Sequence, residues 1–272
     1  MTRQAAVLPG MRNLARAAAA LVLSVCTASA VATPDWDLMG LRLGMTEEEV
    51  TAAFKAYNPN GQINVYNSNY TYSDKVNSFR TPPFLSSMDL RVTTTVISTP
   101  LRVWFSGPEG DVRVIAIARE EINLPNPPTA AEFDQTVYDK YGEPTHRMSN
   151  GAPIWQEAGK PSCITTRYSY GESISLQEFP QVASGHKTME QAVQMLEVWQ
   201  QRPAEQAAPE DLGTCGAFMY YPPGRDAMRS FRAAIFDVGA IVDTHRRRMA
   251  WVSQLEADAI RARESQGQRP RL

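Results

Sequence analysis

The chain contains the same helix start twice. Thr46 and Glu49 stand three apart, as do Thr129 and Glu132, and the two threonines are 83 positions apart. In this spacing the hydroxyl accepts from a first-turn N–H while the Glu reaches back to the cap N–H, which fixes where a helix begins. The apolar positions keep step. Val50 lies four after its cap, as Phe133 does, and Phe54 lies eight after, as Val137 does. Val50, Ala53, Phe54 and Tyr57 form one stripe at helical spacing. Each helix runs into a turn with Gly and Pro, "NPNG" and "GEP". The pair reads as an internal repeat.

Between the two helix starts the pattern changes to period two. "QINVYNSNYTYS" (62–73) is rich in Tyr, Asn and Ser. "MDLRVTTTV" (88–96) puts Met88, Leu90, Val92, Thr94 and Val96 on one face, and "LRVWF" (101–105) does so with Leu101, Val103 and Phe105. "GPEG" (107–110) is a turn of hairpin length and "DVRVIAIARE" (111–120) the return strand. After the second helix, "APIWQE", "CITTRYSY", "SISLQEF", "GAFMYY" and "SFRAAIFDV" read as strands. A helix over 187–201, capped by Thr188 and Gln191, and a tail helix from about Ile241 complete the pattern. The expectation is an α+β fold with helices on one face of an antiparallel sheet, organised as two tandem repeats (33–125 and 126–240) followed by a helix and disordered tail (241–272).

The first 32 residues read as a secretory signal peptide. Arg3, Arg12 and Arg16 are the only charges before Asp35, "AAAALVLSVC" is a short apolar run, and "ASA" and "AVA" fit small-x-small cleavage. The implied address is the periplasm. The alternative is an outer-membrane lipoprotein held through Cys26, since "LSVC" resembles a lipobox with Val25 at the small-residue place. Cleavage at either site removes Cys26 and leaves Cys163 and Cys215, an even pair in an oxidising compartment, which predicts a disulfide. It also leaves 24 basic against 29 acidic residues. That balance argues against nucleic acid as the main partner, and no later run is long and apolar enough to span a membrane.

The run "D-x-x-G-x-x-L-G-M-T-x-x-E-V", Asp37 to Val50, resembles a helix opening found in exported bacterial proteins of unknown function. More loosely, it is similar to the start of the small lipoprotein of the outer-membrane β-barrel assembly machinery and to the β-lactamase-inhibitory proteins. "KYGEP" (140–144) resembles the way such repeats close their helical part. The resemblance implies short helices on an antiparallel sheet, in tandem for the inhibitory proteins, and an envelope address. It carries no catalytic residue to this chain.

Chemistry-bearing motifs are sparse. His146, His186 and His245 lack zinc-ligand spacing. There is no Gly-x-Ser-x-Gly elbow, phosphate loop or dinucleotide fingerprint. No cofactor or metal is expected, and an enzyme is the lesser reading. "HRRRM" (245–249) reads as a solvated helix face, with Asp243 placed to pair with Arg247. The recognition candidates are Tyr66, Tyr70 and Tyr72, interleaved with Asn and Ser, and the alternating pair Tyr168 and Tyr170. Tyr supplies rigid contact area with a polar tip, and Asn and Ser supply adaptable hydrogen bonds. The expected function is an envelope binding module whose partner, an envelope protein or other ligand, docks on the Tyr-bearing sheet face. The alternative is a periplasmic hydrolase whose active site no motif marks. The signal-peptide reading makes a direct prediction. N-terminal sequencing of the exported protein should start at Val31 or Thr33; a chain retaining Cys26 in acylated form would contradict cleavage at either site.

Overall fold

The computed structural model describes residues 34–93, 97–108, 110–148, 150–163, 188–200 and 210–266. In chain order these form α1 (Glu47–Tyr57), β1 (Gln62–Ser68), β2 (Thr71–Ser73), β3 (Ser78–Arg80), β4 (Phe84–Thr93), β5 (Ile97–Phe105), β6 (Val114–Glu121) and α2 (Ala130–Tyr141). Then come β7 (His146–Arg147), β8 (Pro153–Gln156), α3 (Met189–Gln200), β9 (Ala217–Tyr220), β10 (Phe231–Asp237) and α4 (Val238–Gln266). A 3₁₀ turn, Leu212–Thr214, precedes β9.

Both capping boxes form as the spacing predicts. Thr46 and Thr129 each accept from the third helical N–H, and Glu49 and Glu132 each receive the cap N–H. Thr188 and Gln191 exchange the same two bonds at the start of α3. Each of the first two helices opens a four-strand meander, α1 before β1-β4-β5-β6 and α2 before β7-β8-β9-β10. The meanders join into one antiparallel eight-stranded sheet, ordered β1-β4-β5-β6-β10-β9-β8-β7. The strand order mirrors itself about the β6–β10 ladder. The β2–β3 pair is a separate two-stranded ribbon between β1 and β4.

Cross-strand register sorts the side chains onto two faces. One row reads Val65, Met88, Val103, Ile117, Ile235, Met219 and Trp155 across seven strands. From Met88 onward it is buried, together with Val50 and Phe54 of α1 and Phe133 and Val137 of α2. These two helices therefore lie on one face, as expected. The opposite face is covered as well. Ala116, Ala118, Ala234, Phe218 and Phe236 pack there with Ala192 and Val193 of α3 and Ile241 and Val242 of α4. Alanine at three central positions leaves room for helices to approach the sheet closely. Gly239, at the start of α4, lets that helix press against the 3₁₀ turn, because a Cβ there would lie 2.6 Å from the Gly213 carbonyl oxygen.

The expected tail helix begins at Val238 and continues to Gln266, so "ESQ" is helical; residues 267–272 lie outside the described set. So do the expected strands over 164–170 and 173–179 and the proposed signal peptide. Cys163 and Cys215 lie at disulfide distance, with Cα atoms 5.6 Å apart across a separation of 52 residues. Neither cysteine is itself in a strand.

The reading of "HRRRM" as a solvated face is corrected at Arg248, which is buried. Its Nε donates to the Gly107 carbonyl (2.7 Å) and one terminal nitrogen to the Phe105 carbonyl (3.0 Å). The other lies 3.2 Å from Glu190 on α3, and the guanidinium sits 5.0 Å over the Phe84 ring. Tyr70 adds its hydroxyl to Glu190 at 3.1 Å and stacks on Phe84. One cation thus ties α4 to α3, to the end of β5 and to the start of β4. Burial works against the Glu190 charge, but its hydrogen bonds and Arg248 outweigh it and hold the carboxyl below its ordinary value. Burial and the nearby Glu190 charge push the Tyr70 hydroxyl up to about 12.

Arg248→Met should cost about 3 kcal/mol in urea unfolding, because it leaves a half-buried carboxylate and two carbonyls without their donor. A cost under about 1 kcal/mol would show that the network carries little. A depressed folded pKa contributes stability that is present above the ordinary glutamate value of 4.5 and is lost as pH falls through the folded value. Wild type should therefore lose more stability in acid than Glu190→Gln does, by the same measurement.

Candidate functional site

The N-terminal segment before α1 is built around Asp37. Its carboxylate accepts from the Gly40 N–H at 2.9 Å, closing a turn in which Met39 and Gly40 both have positive φ (57° and 84°). The turn brings Leu38 and Leu41 into the core, fully buried. Gly44, at φ 80°, then lets the chain run beside β6, with its N–H on the Val114 carbonyl at 2.8 Å and the Val114 N–H on the Met45 carbonyl at 2.9 Å. Only glycine adopts such φ values freely.

The two stretches singled out in the sequence, "DLMGLRLGMT" and "KYGEP", meet here. Lys140 lies 3.1 Å from the Asp37 carboxylate, and the Tyr141 hydroxyl donates to the Asp37 carbonyl at 2.7 Å. Tyr141 and Tyr221 hydroxyls are 3.2 Å apart. Trp155 donates to the Gly142 carbonyl at 3.0 Å, so the end of α2 is pinned from both sides.

Beside this junction lies a cleft of about 260 Å³. Phe133, Val137, Leu124, Pro128 and Phe231 form its apolar walls. Phe133 and Phe231 meet edge to face, with centroids 5.2 Å apart, and Tyr221 sits among Phe133, Tyr141, Trp155 and Phe231. The polar side is Arg119, with Lys140 and Thr136 at the rim. Arg119 lies 5.1 Å over the Phe231 ring and donates twice to Glu121, at 3.3 and 2.9 Å. Burial opposes its charge, but the Glu121 hydrogen bond and attraction hold it above its ordinary value. Burial pushes the Tyr221 and Tyr141 hydroxyls up. The tyrosines are therefore neutral hydrogen-bonding groups and Arg119 is a fixed cation.

The opposite face carries one of the sequence-predicted tyrosines, Tyr66. Tyr66 stands on β1 opposite Ser87, which stands opposite Trp104. It is 45% exposed, and partial burial, with the Asp89 charge nearby, pushes its hydroxyl up. Asp89 is buried and also receives Asn64 at 2.9 Å and Arg102 at 3.4 Å. Arg102 lies 6.0 Å from the Trp104 ring centre. Tyr70 is half-buried against Phe84 and Glu190, and Tyr72 is half-buried on the ribbon, stacked on Phe79. The three tyrosines are thus placed separately, with Tyr66 alone on the eight-stranded sheet. Tyr168 and Tyr170 lie outside the described residues, as does His186. His146 is exposed on β7, and His245 is partly exposed, its Nδ1 buried and without a hydrogen-bond partner among the described residues. Among the described residues no group of three His, Cys, Asp or Glu is placed to hold a metal ion. No helix there is long and apolar enough to cross a membrane.

No family model, curated protein or solved structure matches the chain.

The sequence reading missed Arg119 and Glu121, although a signal was present. They continue the alternation of Ile117 on β6, so two charges fall on the face that carries the core. Tyr141 and Tyr221 lay inside quoted stretches but were not distinguished from other aromatics. Tyr141→Phe removes the donor to Asp37 and should cost about 1–2 kcal/mol in denaturant unfolding; an unchanged midpoint would mean that water replaces the bond.

Proposed function

We propose that the protein is a periplasmic binding module of the bacterial cell envelope that holds an extended segment of an envelope protein along β1. The observation that carries this reading is the edge of the sheet. Among the described residues β1 ends the eight-stranded sheet, with only β4 as neighbour. Its sequence, "QINVYNS", contains no Lys, Arg or Pro. Val65 and Tyr66 are 48% and 45% exposed on its two faces. Natural sheets block such edges with charge, proline or short strands, because free ladder groups recruit another strand. An edge that the described residues leave open over seven positions supports its use for strand addition, where main-chain bonds give affinity and alternate side chains give specificity.

The neighbours on the Tyr66 face suit that role. Asp89 fixes Asn64 and Arg102 on the same face, which limits the side-chain entropy lost on docking. Trp104 and Arg102 line an adjoining recess with Ser68, Ser86 and Ser87. The Cys163–Cys215 pair at disulfide distance and the leader-like first 32 residues support the periplasmic address.

The test is site-specific photocrosslinking in intact cells, with the crosslinker at position 66 or, as a control, at exposed Glu48 on α1. The expected result is one discrete adduct from position 66, absent from position 48 and abolished by Val65→Lys. No adduct at 66, equal adducts at both positions, or an adduct indifferent to Val65→Lys would sink the edge proposal.

A further inference from the structure

We propose that the cleft beside α2 is a second, independent binding site, and that it takes a small organic monocarboxylate with an apolar body. The cleft opens on the face that carries α1 and α2, opposite Tyr66, so this inference does not rest on strand addition at β1.

Three features select the ligand class. The walls are apolar and aromatic, from Phe133, Phe231, Val137 and Leu124, which favours an apolar body with ring or branched character. The inner cation, Arg119, spends its Nε and one terminal nitrogen on Glu121. A guanidinium has five N–H donors, so, among the described residues, the remaining terminal nitrogen keeps donors for an incoming oxygen anion. The charges are balanced: Arg119 with Glu121, and Lys140 with Asp37. A neutral site with one available guanidinium edge suits a single negative charge. A phosphate or dicarboxylate would bring charge that Glu121 and Asp37 oppose, and an ammonium would face Arg119. The volume, about 260 Å³, lies just below the roughly 300–1,000 Å³ of typical ligand pockets, so the occupant is small.

The guanidinium is also preorganised. It is clamped by Glu121, lies over the Phe231 ring, and its side chain is only 21% exposed. Thr136, by contrast, donates its hydroxyl to the Glu132 carbonyl at 2.7 Å, so it does not compete as a donor. Discrimination therefore rests on Arg119, with Lys140 adding longer-range attraction at the rim.

The experiment titrates 4-phenylbutyrate and its neutral analogue 4-phenylbutan-1-ol into the mature protein and follows backbone amide shifts by NMR. The expected result is saturable shifts confined to Arg119, Thr136–Tyr141 and the Phe231 region, with the carboxylate at least about five-fold tighter than the alcohol. Arg119→Gln should remove that preference. Leu124→Trp, which fills the cleft from its wall without touching the charge network, should abolish binding of both probes while leaving the melting temperature unchanged. Absence of shifts, equal affinity for both probes, or shifts that map elsewhere would overturn the proposal. Crosslinking at position 66 reads the other face, so either reading fails without the other.

Discussion

The β6–β10 ladder is the contact on which the rest of the molecule depends. Six consecutive pairs, from Phe231 opposite Glu121 to Phe236 opposite Ala116, join two four-stranded meanders into one sheet. Without it, each meander would have an unpaired inner edge and an apolar face shared by a single short helix. With it, the row from Met88 to Trp155 becomes one buried surface, on which both α1 and α2 pack. The same ladder aligns Ala116, Ala118 and Ala234 on the reverse, the shallow surface that receives α3 and α4. Arg119 stands on this ladder opposite Ala233, so the cleft exists because the two halves meet there.

Polar contacts then fix what apolar burial leaves loose. Burial is non-directional and sets no unique position for a helix on a sheet. Asp37 positions the end of α2 against the N-terminal segment through Lys140 and Tyr141. Arg248 does the equivalent on the other face, addressing two carbonyls and one carboxylate from a buried position. In both places a charged group is satisfied several times over, the condition under which burying it is tolerable.

Local chemistry was readable from the chain. The Thr–Glu boxes placed α1 and α2 because a capping box is complete within four residues, and the β5–β6 hairpin followed from alternation on either side of a short turn. Although the repeat spacing anticipated two similar halves, it could not say that β6 would pair with β10, since edge pairing leaves no local mark. Arg246, Arg247 and Arg248 look alike in sequence. Their fates depend on where α4 lands: Arg246 lies 2.6 Å from Asp211, while Arg248 is turned into the core. Tyr66 and Tyr70 share composition and neighbourhood, but only Tyr70 comes within reach of Glu190, 120 residues away. The cleft was illegible for the same reason. Its residues come from β6, the chain between β6 and α2, α2, β10 and the chain after β9, and only the odd placement of Arg119 and Glu121 on an apolar face hinted at it.

Native-state hydrogen exchange tests the central claim most directly. If the β6–β10 ladder unites the halves, the amides of Val114–Glu121 and Phe231–Asp237 exchange most slowly, with the free energy of global unfolding, and both meanders share that limit. If those amides instead exchange early, or the two meanders open with separate free energies, the halves are autonomous and the ladder is only a contact between them.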